Sequence, residues 1–339
     1  MGWLHYVGQV GRCRLPSSSL YLSSQRTQPP VCAYLKEGVR QMQTASSSVS
    51  GWEMKRFYET VGVQKVNAEG AGEGSSDCCW EVLLDGRPLR TPGRNPLHLP
   101  TEDLARAVAA EWESQIEKLT PALMPMMALA ATAVDLQYGT WRDREGLVEG
   151  VLRFLQTDTA LFKAEDPQLE KLQTEVTEPV LAAFETRFAV SLPRVTGIHV
   201  PTLEDSTIPK VREALELLDV WHLTALETAV SNTKSLVLSS LLVLPPSGVS
   251  IGASSSSSPC EGERERREAG GALLKIQRDG ISAVEALRAS RLEEEYQQTE
   301  WGQVEGDHDV EAAMCFLWLS ACKNLAVFSR QTVPPPESV

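Results

Sequence analysis

The hydrophobic pattern of the chain changes its period at Pro100-Thr101, and this change constrains the fold more than any other feature. Before this point, apolar residues alternate with polar ones between turn signals, as in half-buried strands. After it, Leu104, Val108 and Trp112 recur every four residues, as on one face of a helix. Strands followed by helices predict an α+β protein with a small β-rich N-terminal part and a mostly α-helical C-terminal part.

The β-rich part contains a hairpin signal. In residues 78–92 a run of alternating residues leads to Asp85-Gly86, a dipeptide that accepts the positive φ angles of a tight turn, and a return strand follows. Residues 55–66 and 95–100 are also predicted to be extended. The glycines of residues 68–77 lack the spacing of a phosphate-binding loop, so a hairpin connection is predicted there.

The helical part is predicted from caps and from apolar stripes. Thr101 can cap a helix that ends near Gln115, because Glu102 and Asp103 favour its first turn. Ser282 can cap a second helix, which is expected to run into residues 291–309. The other predicted helical segments follow Pro125 and Trp141, or occupy residues 179–188, 211–218, 221–244 and 311–328. Residues 193–201 are predicted to be an extended connector.

Residues 1–50 have the composition of a mitochondrial presequence. They carry five basic side chains but only one acidic one, they are rich in serine, and no apolar run is long enough for a secretory signal. We therefore divide the chain into a presequence (1–50), a β-rich domain with one amphipathic helix (51–137) and a helical domain (138–339). Residues 245–271, with serine repeats and mixed charges, are predicted to be a disordered insertion in the last domain.

Charge and apolar runs exclude several classes of protein. The formal net charge is −13, which argues against nucleic-acid binding because that requires a basic face. No apolar stretch reaches the roughly 18 residues that span a bilayer, so a soluble mature protein is expected. The seven cysteines lack metal-type spacing and are predicted to be free thiols in a reducing compartment.

The sequence RLEEEYQQTEWGQVEGDHD (residues 291–309) is the strongest candidate for a functional site, since it contains seven carboxylates, a histidine and two large aromatic residues. A metal site is not favoured, because consecutive residues such as Asp307, His308 and Asp309 point in different directions. Acid–base catalysis is not favoured either, because a helix spreads three consecutive glutamates over about 200°. No metal and no cofactor are predicted.

Two interpretations of this segment remain. Its acids can form a solvated helix face, supported by pairs such as Arg291 with Glu295, each contributing a few tenths of a kcal/mol. Large aromatic rings beside charges are instead typical of surfaces that bind proteins. The second interpretation predicts a partner-binding surface, whose residues are Glu293, Glu294, Tyr296, Trp301, Glu305, His308 and Asp309.

Six phrases in order resemble the mitochondrial F1-ATPase assembly factor 2 family, whose members are chaperones of the ATP synthase alpha subunit. They are KRFYETVGV (55–63), LDGRPLRTP (84–92), LARAVAAEWESQ (104–115), ATAVD (131–135), RFLQTDT (153–159) and the segment 291–309. The resemblance extends over nearly the whole chain after residue 50. It departs from the family pattern at Gly306-Asp307, in the insertion, and in the longer loop at 68–77.

This resemblance implies a function that the residue patterns alone do not give. It implies a protein of the mitochondrial matrix that binds newly imported alpha subunit and prevents its aggregation before the catalytic hexamer assembles, and we expect this protein to be a monomer. It implies no enzymatic activity, and it implies that Glu293, followed by Glu294, is important for function. The alternatives are a matrix hydrolase that uses the acids of residues 293–309, and a scaffold that remains in a complex.

Overall fold

The computed structural model describes residues 54–67, 78–197, 200–245, 269–302 and 306–330. The predicted presequence, the loop at 68–77, most of the predicted insertion and Glu305 lie outside these described residues.

The N-terminal layer is a small antiparallel sheet of three strands in the order β1 (Val61–Asn67), β2 (Cys78–Leu84) and β3 (Arg87–Pro88). Asp85 and Gly86 join β2 to β3 with φ angles of 48° and 76°, which confirms the predicted hairpin. The Asp85 carboxylate also accepts hydrogen bonds from the amides of Glu59 (3.0 Å) and Thr60 (2.8 Å). The turn therefore holds the chain that leads into β1.

Helix α1 (Glu102–Glu113) lies against β1 and β2. It begins as predicted, because the Thr101 side chain accepts a hydrogen bond from the amide of Leu104 at 3.2 Å. The Thr101 hydroxyl also donates to the carbonyl of Phe328, near the end of the described chain. Leu104 and Val108 are fully buried against the sheet, whereas the Trp112 ring is only partly buried.

Helix α2 (Pro125–Tyr138) is fixed at both ends by carboxylates. At its start, Glu111 of α1 accepts the amides of Met126 and Met127, both at 2.8 Å. Near its other end, Asp135 accepts the Thr91 hydroxyl at 2.5 Å and the side-chain amide of Asn95 at 2.8 Å. These bonds attach α2 to α1 and to the loop that follows β3.

The rest of the described chain is mostly helical. Its helices are α3 (Trp141–Arg153), α4 (Pro167–Phe188), α5 (Thr207–Glu216), α6 (Val220–Thr233), α7 (Leu236–Val243), α8 (Ala269–Asp279), α9 (Ala283–Ser290), α10 (Leu292–Trp301) and α11 (Asp307–Phe328). Two short parallel strands, β4 (Phe162–Lys163) and β5 (Val195–Thr196), pair with each other, so the predicted extended connector contains β5.

The prediction of one continuous helix over residues 221–244 was wrong. Lys234 adopts a left-handed conformation (φ 58°) that ends α6, and the Ser235 side chain accepts the amide of Leu238 at 3.0 Å to cap α7. Every residue of α7 is buried. Residues 236–243 therefore form a buried helix, as was expected, but this helix is separated from α6 by a break at Lys234.

Two other helix boundaries also differ from the prediction. Helix α4 begins at Pro167 rather than Pro179, because Asp166 caps it through the amides of Gln168 (2.9 Å) and Leu169 (3.0 Å), and Pro179 lies inside the helix. Ser282 caps its helix as predicted, but that helix ends at Ser290. Arg291, with φ −119° and ψ 18°, separates it from α10.

The core is a continuous cluster of buried side chains that runs from the sheet to the helices. Helix α6 lies at its centre and packs against α2, α3, α7 and α11. Within the described residues one helix, His308–Phe328, is long and apolar enough to cross a membrane by length and composition. It packs against α2, α6 and α9, and 39% of its apolar window is buried within the structure. The mostly helical chain with a small N-terminal sheet agrees with the α+β class, and the boundary at residue 137 stays a prediction.

Candidate partner-binding surface

Helix α10 carries four of the seven predicted site residues and lies on the outside of the helical part. Leu292, at its start, is buried, and the helix packs against α4 and α9. It ends at Gly302 (φ 89°), and α11 begins after Gly306 (φ 119°), so both ends of the corner use backbone conformations that glycine adopts without strain. Glu305 lies in this corner, outside the described residues.

Glu294 holds the corner together. Its carboxylate lies 2.6 Å from the guanidinium of Arg291 and 3.1 Å from Nδ1 of His308, and it accepts the side-chain amide of Gln298 at 3.2 Å. Arg291 also lies 3.7 Å from the carboxylate of Glu311. Because these contacts join α10 to α11, Glu294 and His308 have a positioning role within the chain.

Tyr296 fixes the opposite side of α10. Its hydroxyl donates to Oδ1 of Asp166 at 3.2 Å, and Asp166 is the cap of α4. The amide of Leu169, foremost among the groups that hydrogen-bond this carboxylate, lowers the pKa of Asp166. The aromatic ring therefore anchors α10 on α4, in a position that leaves other residues of α10 facing solvent.

The solvent-facing residues of α10 are acidic and aromatic. Glu293 and Glu300 are exposed, and Glu295 is exposed with its carboxylate 3.5 Å from the guanidinium of Arg288. Trp301 is 82% exposed at the end of the helix. A solvated helix face explains the glutamates, whereas Trp301 adds a large ring of the kind that is enriched at protein interfaces. We call Glu293, Glu300 and Trp301 the acidic aromatic face.

The described residues include no group of three or more His, Cys, Asp or Glu side chains arranged to hold a metal ion. His308 contacts Glu294, and Asp309 is half-buried in the first turn of α11. The structure thus separates the predicted residues into exposed ones (Glu293 and Trp301) and ones that hold the corner (Glu294, Tyr296 and His308).

Sequence reasoning missed one buried and one partly buried carboxylate in the segments that carry the family resemblance. Asp158, in RFLQTDT, is fully buried, and burial raises its pKa to about 6. Glu111, in LARAVAAEWESQ, has its pKa raised to about 7 by the same cause. Both carboxylates accept amides at the first turn of a helix, so their perturbed pKa values belong to the fold. No local signal marks these two acids, because both segments also contain other polar and charged residues.

A family model described as ATP12 chaperone protein matches residues 55–185. Over this range the chain is similar to the ATP12 chaperone family. The matched range contains the three-stranded sheet, helices α1 to α3 and most of α4, together with Glu111, Asp135 and Asp158. The acidic aromatic face lies beyond it, so the ATP12 match describes the scaffold rather than this surface.

Individual ATP12 proteins match over longer ranges. The chain is 25% identical over 279 residues to the mitochondrial protein atp12 of Schizosaccharomyces pombe, covering 79% of this chain and 80% of that protein. It is 24% identical over 260 residues to the mitochondrial protein ATP12 of Saccharomyces cerevisiae, covering 68% and 73%. The crystal structure of Atp12 from Paracoccus denitrificans superposes with a TM-score of 0.61 at 26% identity, covering 83% of this chain and all of that one.

Proposed function

We propose that this protein is an assembly chaperone that binds the newly imported alpha subunit of mitochondrial F1-ATPase and prevents its aggregation before the catalytic hexamer forms. The match of residues 55–185 to the ATP12 chaperone family model supports a role as an assembly chaperone rather than an enzyme. The mitochondrial names of the two yeast relatives support the location, and the basic composition of residues 1–50 supports import into the matrix. We expect a monomer that uses no cofactor and binds no nucleic acid.

The observation that carries this proposal is the acidic aromatic face, above all the exposed Trp301. A free subunit exposes apolar surface that its neighbours cover in the hexamer, and an amphipathic ring can cover part of it. The surrounding carboxylates favour partners with basic groups and repel acidic ones. Because a chaperone has to release its client, we expect a small interface of modest affinity.

The packing of α10 supports a surface role over acid–base chemistry. Glu294, the middle carboxylate of Glu293–Glu295, is engaged by Arg291 and His308 at 2.6 and 3.1 Å. Its neighbours on either side are exposed to solvent. This arrangement favours a rigid helix that presents Glu293 and Trp301 to a partner over the hydrolase considered from the sequence.

The proposal is tested by reversing the charge of one exposed glutamate on α10 and comparing the variant with a control at an exposed glutamate elsewhere. Glu293→Lys should leave the melting temperature unchanged but weaken capture of purified alpha subunit and its protection from aggregation. Glu145→Lys, at an exposed position on α3, is the matched control and should change neither property. Normal melting together with undiminished capture by Glu293→Lys would contradict the proposed surface.

A second pair of variants separates binding from positioning. Trp301→Ala removes an exposed ring and should weaken capture without altering stability. Glu294→Ala removes the acceptor that joins Arg291 and His308, so it should lower stability as well as capture. If wild-type protein suppresses no aggregation of the alpha subunit in the absence of nucleotide and metal, the proposed function itself is wrong.

A further inference from the structure

An open groove lies between α3 and α6. Its volume is about 240 Å³, and Gly146 and Gly150 of α3 line it together with Val151 and Val230, which are almost fully buried. This volume is smaller than the roughly 300–1,000 Å³ of sites that take cofactors and other small molecules. The groove therefore has room for one or two side chains rather than for a small-molecule ligand. We call it the α3–α6 groove.

The two glycines keep this groove open at a cost in stability. Both lie inside α3, where glycine is less favourable than alanine because it loses more conformational freedom on folding. Neither has a positive φ angle, and a Cβ atom on either would meet no atom within 4 Å. The backbone and the packing would both accept a side chain at these positions. The glycines therefore leave space that this chain does not fill, and such space suits a side chain of another molecule.

The α6 side of the groove carries a carboxylate without a basic partner. Glu227 is half-buried, and its oxygens accept hydrogen bonds from the neutral hydroxyls of Thr228 (3.4 Å) and Ser231 (3.3 Å). In the part of the chain that the structure describes, no basic side chain forms an ion pair with it. The ammonium of Lys234 instead donates to the carbonyl of Ser231 at 2.5 Å and lies 6.0 Å from the centre of the Phe154 ring. The groove thus has a negative charge on its wall and a positive charge at one end.

We propose that the α3–α6 groove is a second docking site for the client, and that it binds an amphipathic helix of the alpha subunit. This inference rests on the proposed function, because the client is the alpha subunit. A large apolar side chain of that helix enters the groove between Gly150 and Val230, while a neighbouring lysine or arginine pairs with Glu227. Because glycine has no side chain, the backbone of the bound helix can approach α3 closely.

The charges of the groove select the orientation of the bound helix. Glu227 and Lys234 are seven residues apart, which corresponds to about 10 Å along a helix. They favour a helix that carries a basic side chain at one position and an acidic one about two turns away, and they disfavour the reversed orientation. A groove on α3 and α6 also adds a second contact to the acidic aromatic face, and two modest contacts hold a client more strongly than either alone.

Other occupants fit the groove less well. Residues 1–50 carry five basic side chains, but their composition is that of a presequence, which is removed on import. Residues 246–268 contain no large apolar side chain beside a basic one, and residues 331–339 contain no basic residue. A second copy of the chain has a net charge of −13, so two copies repel each other.

Filling the groove tests the proposal. Gly150→Leu places a large side chain in the groove without a clash at its Cβ atom, so the melting temperature should equal or exceed that of wild type. Its binding of purified alpha subunit should be weaker by about tenfold or more, as expected when an apolar anchor loses its pocket. Thr186→Leu is the matched control, because it adds a leucine at an exposed position of α4. This control should bind as wild type does.

A second variant tests the charge without filling the groove. Glu227→Gln keeps the shape of the side chain and one acceptor oxygen, so it should melt as wild type does. It should weaken binding about three- to fivefold and make binding less sensitive to salt, because a partly exposed ion pair is modest and screened. Equal affinity and equal salt dependence would overturn the proposal. The control variant Glu145→Lys does not alter the groove, since Glu145 lies on the other side of α3 from Gly150.

Photo-crosslinking in the full-length chain identifies the occupant. Arg153 is exposed and lies two turns from Gly146 on the same side of α3. A photoreactive phenylalanine analogue at this position should crosslink to an amphipathic helix of the alpha subunit, located by mass spectrometry. Gly150→Leu should reduce these crosslinks, whereas Thr186→Leu should not. Crosslinks only to residues 1–53 of the same chain, or only to a second copy, would overturn the proposal.

The two proposals fail in different ways. If wild-type protein does not hold the alpha subunit at all, the proposed function is wrong. If wild type holds it, and Trp301→Ala weakens capture while Gly150→Leu binds as well as Thr186→Leu, only the docking site in the α3–α6 groove is wrong.

Discussion

The carboxylate of Asp158 accepts the amide of Val237 at 2.9 Å, although the two residues are 79 positions apart in the chain. The same carboxylate accepts the amide of Ala160 at 3.0 Å. Asp158 therefore joins the segment after α3 to the first turn of α7, the most completely buried helix. One side chain supplies the acceptors that this helix end cannot obtain from water.

Asp158→Ala should lower the free energy of unfolding by about 2–4 kcal/mol, because it leaves buried amides without acceptors. Asp158→Asn keeps one carbonyl oxygen, so it should cost less than the alanine variant. Urea unfolding of the three proteins measures the difference. An alanine variant as stable as wild type would show that the amides find other acceptors.

Glu111 should give the stability a measurable pH dependence. Burial raises its pKa from 4.5 to about 7, so between these pH values the folded state retains a proton that the unfolded state has released. The contribution of Glu111 to stability therefore falls as the pH rises through this window and is constant above it. The stability difference between wild type and Glu111→Gln should be more favourable to wild type at pH 4.5 than at pH 7.5. Parallel urea profiles for the two proteins would contradict the assignment.

Alanine substitutions at three glycines are expected to change the stability of the protein in opposite directions. A Cβ atom on Gly146 or Gly150 of α3 meets no atom within 4 Å, and both residues line an open groove of about 240 Å³ between α3 and α6. Changing either to alanine should raise stability by about 0.5–1 kcal/mol, since glycine is unfavourable inside a helix. Gly280→Ala is the contrasting variant. Gly280 has φ +70°, and its Cβ would lie 2.6 Å from the carbonyl oxygen of Leu241.

We expect Gly280→Ala to cost about 2 kcal/mol or more, because a left-handed conformation and a backbone clash act together. Thermal unfolding followed by circular dichroism is sufficient to compare the three variants. Equal melting temperatures for all three would mean that these backbone environments are not as described.

The sequence predicted the turns and helix starts correctly where a few adjacent residues determine them. Asp85-Gly86 predicted the hairpin, and Thr101 and Ser282 predicted two helix starts, because turns and caps depend on a few adjacent residues. The break at Lys234 was missed because a lysine in a left-handed conformation carries no signal in the sequence. Pro179 was taken as a helix start, although Asp166-Pro167 is the pair that begins α4.

The sequence predicted which segment carries the candidate surface, but not which of its residues face solvent. The sequence identifies Glu293, Glu294 and Tyr296 equally, because nothing local distinguishes an exposed carboxylate from one that bridges two helices. Which of these residues are exposed and which bridge two helices depends on distant partners, namely His308 for Glu294 and Asp166 for Tyr296. The bridge between Lys55 and Lys118 was missed for the same reason, since the two residues lie about sixty positions apart in the chain.

The hydrogen bond from Thr101 to the carbonyl of Phe328 has a consequence for how the molecule matures. A polypeptide that emerges from a ribosome or a translocation channel delivers its amino-terminal residues first. Helix α1 therefore cannot make its contacts with α11 until the end of the chain has emerged. The lining that α11 supplies to α1 and α2 arrives only when delivery is nearly complete. The contacts that complete the packing of α1 and α2 therefore form last, after the rest of the chain has been delivered.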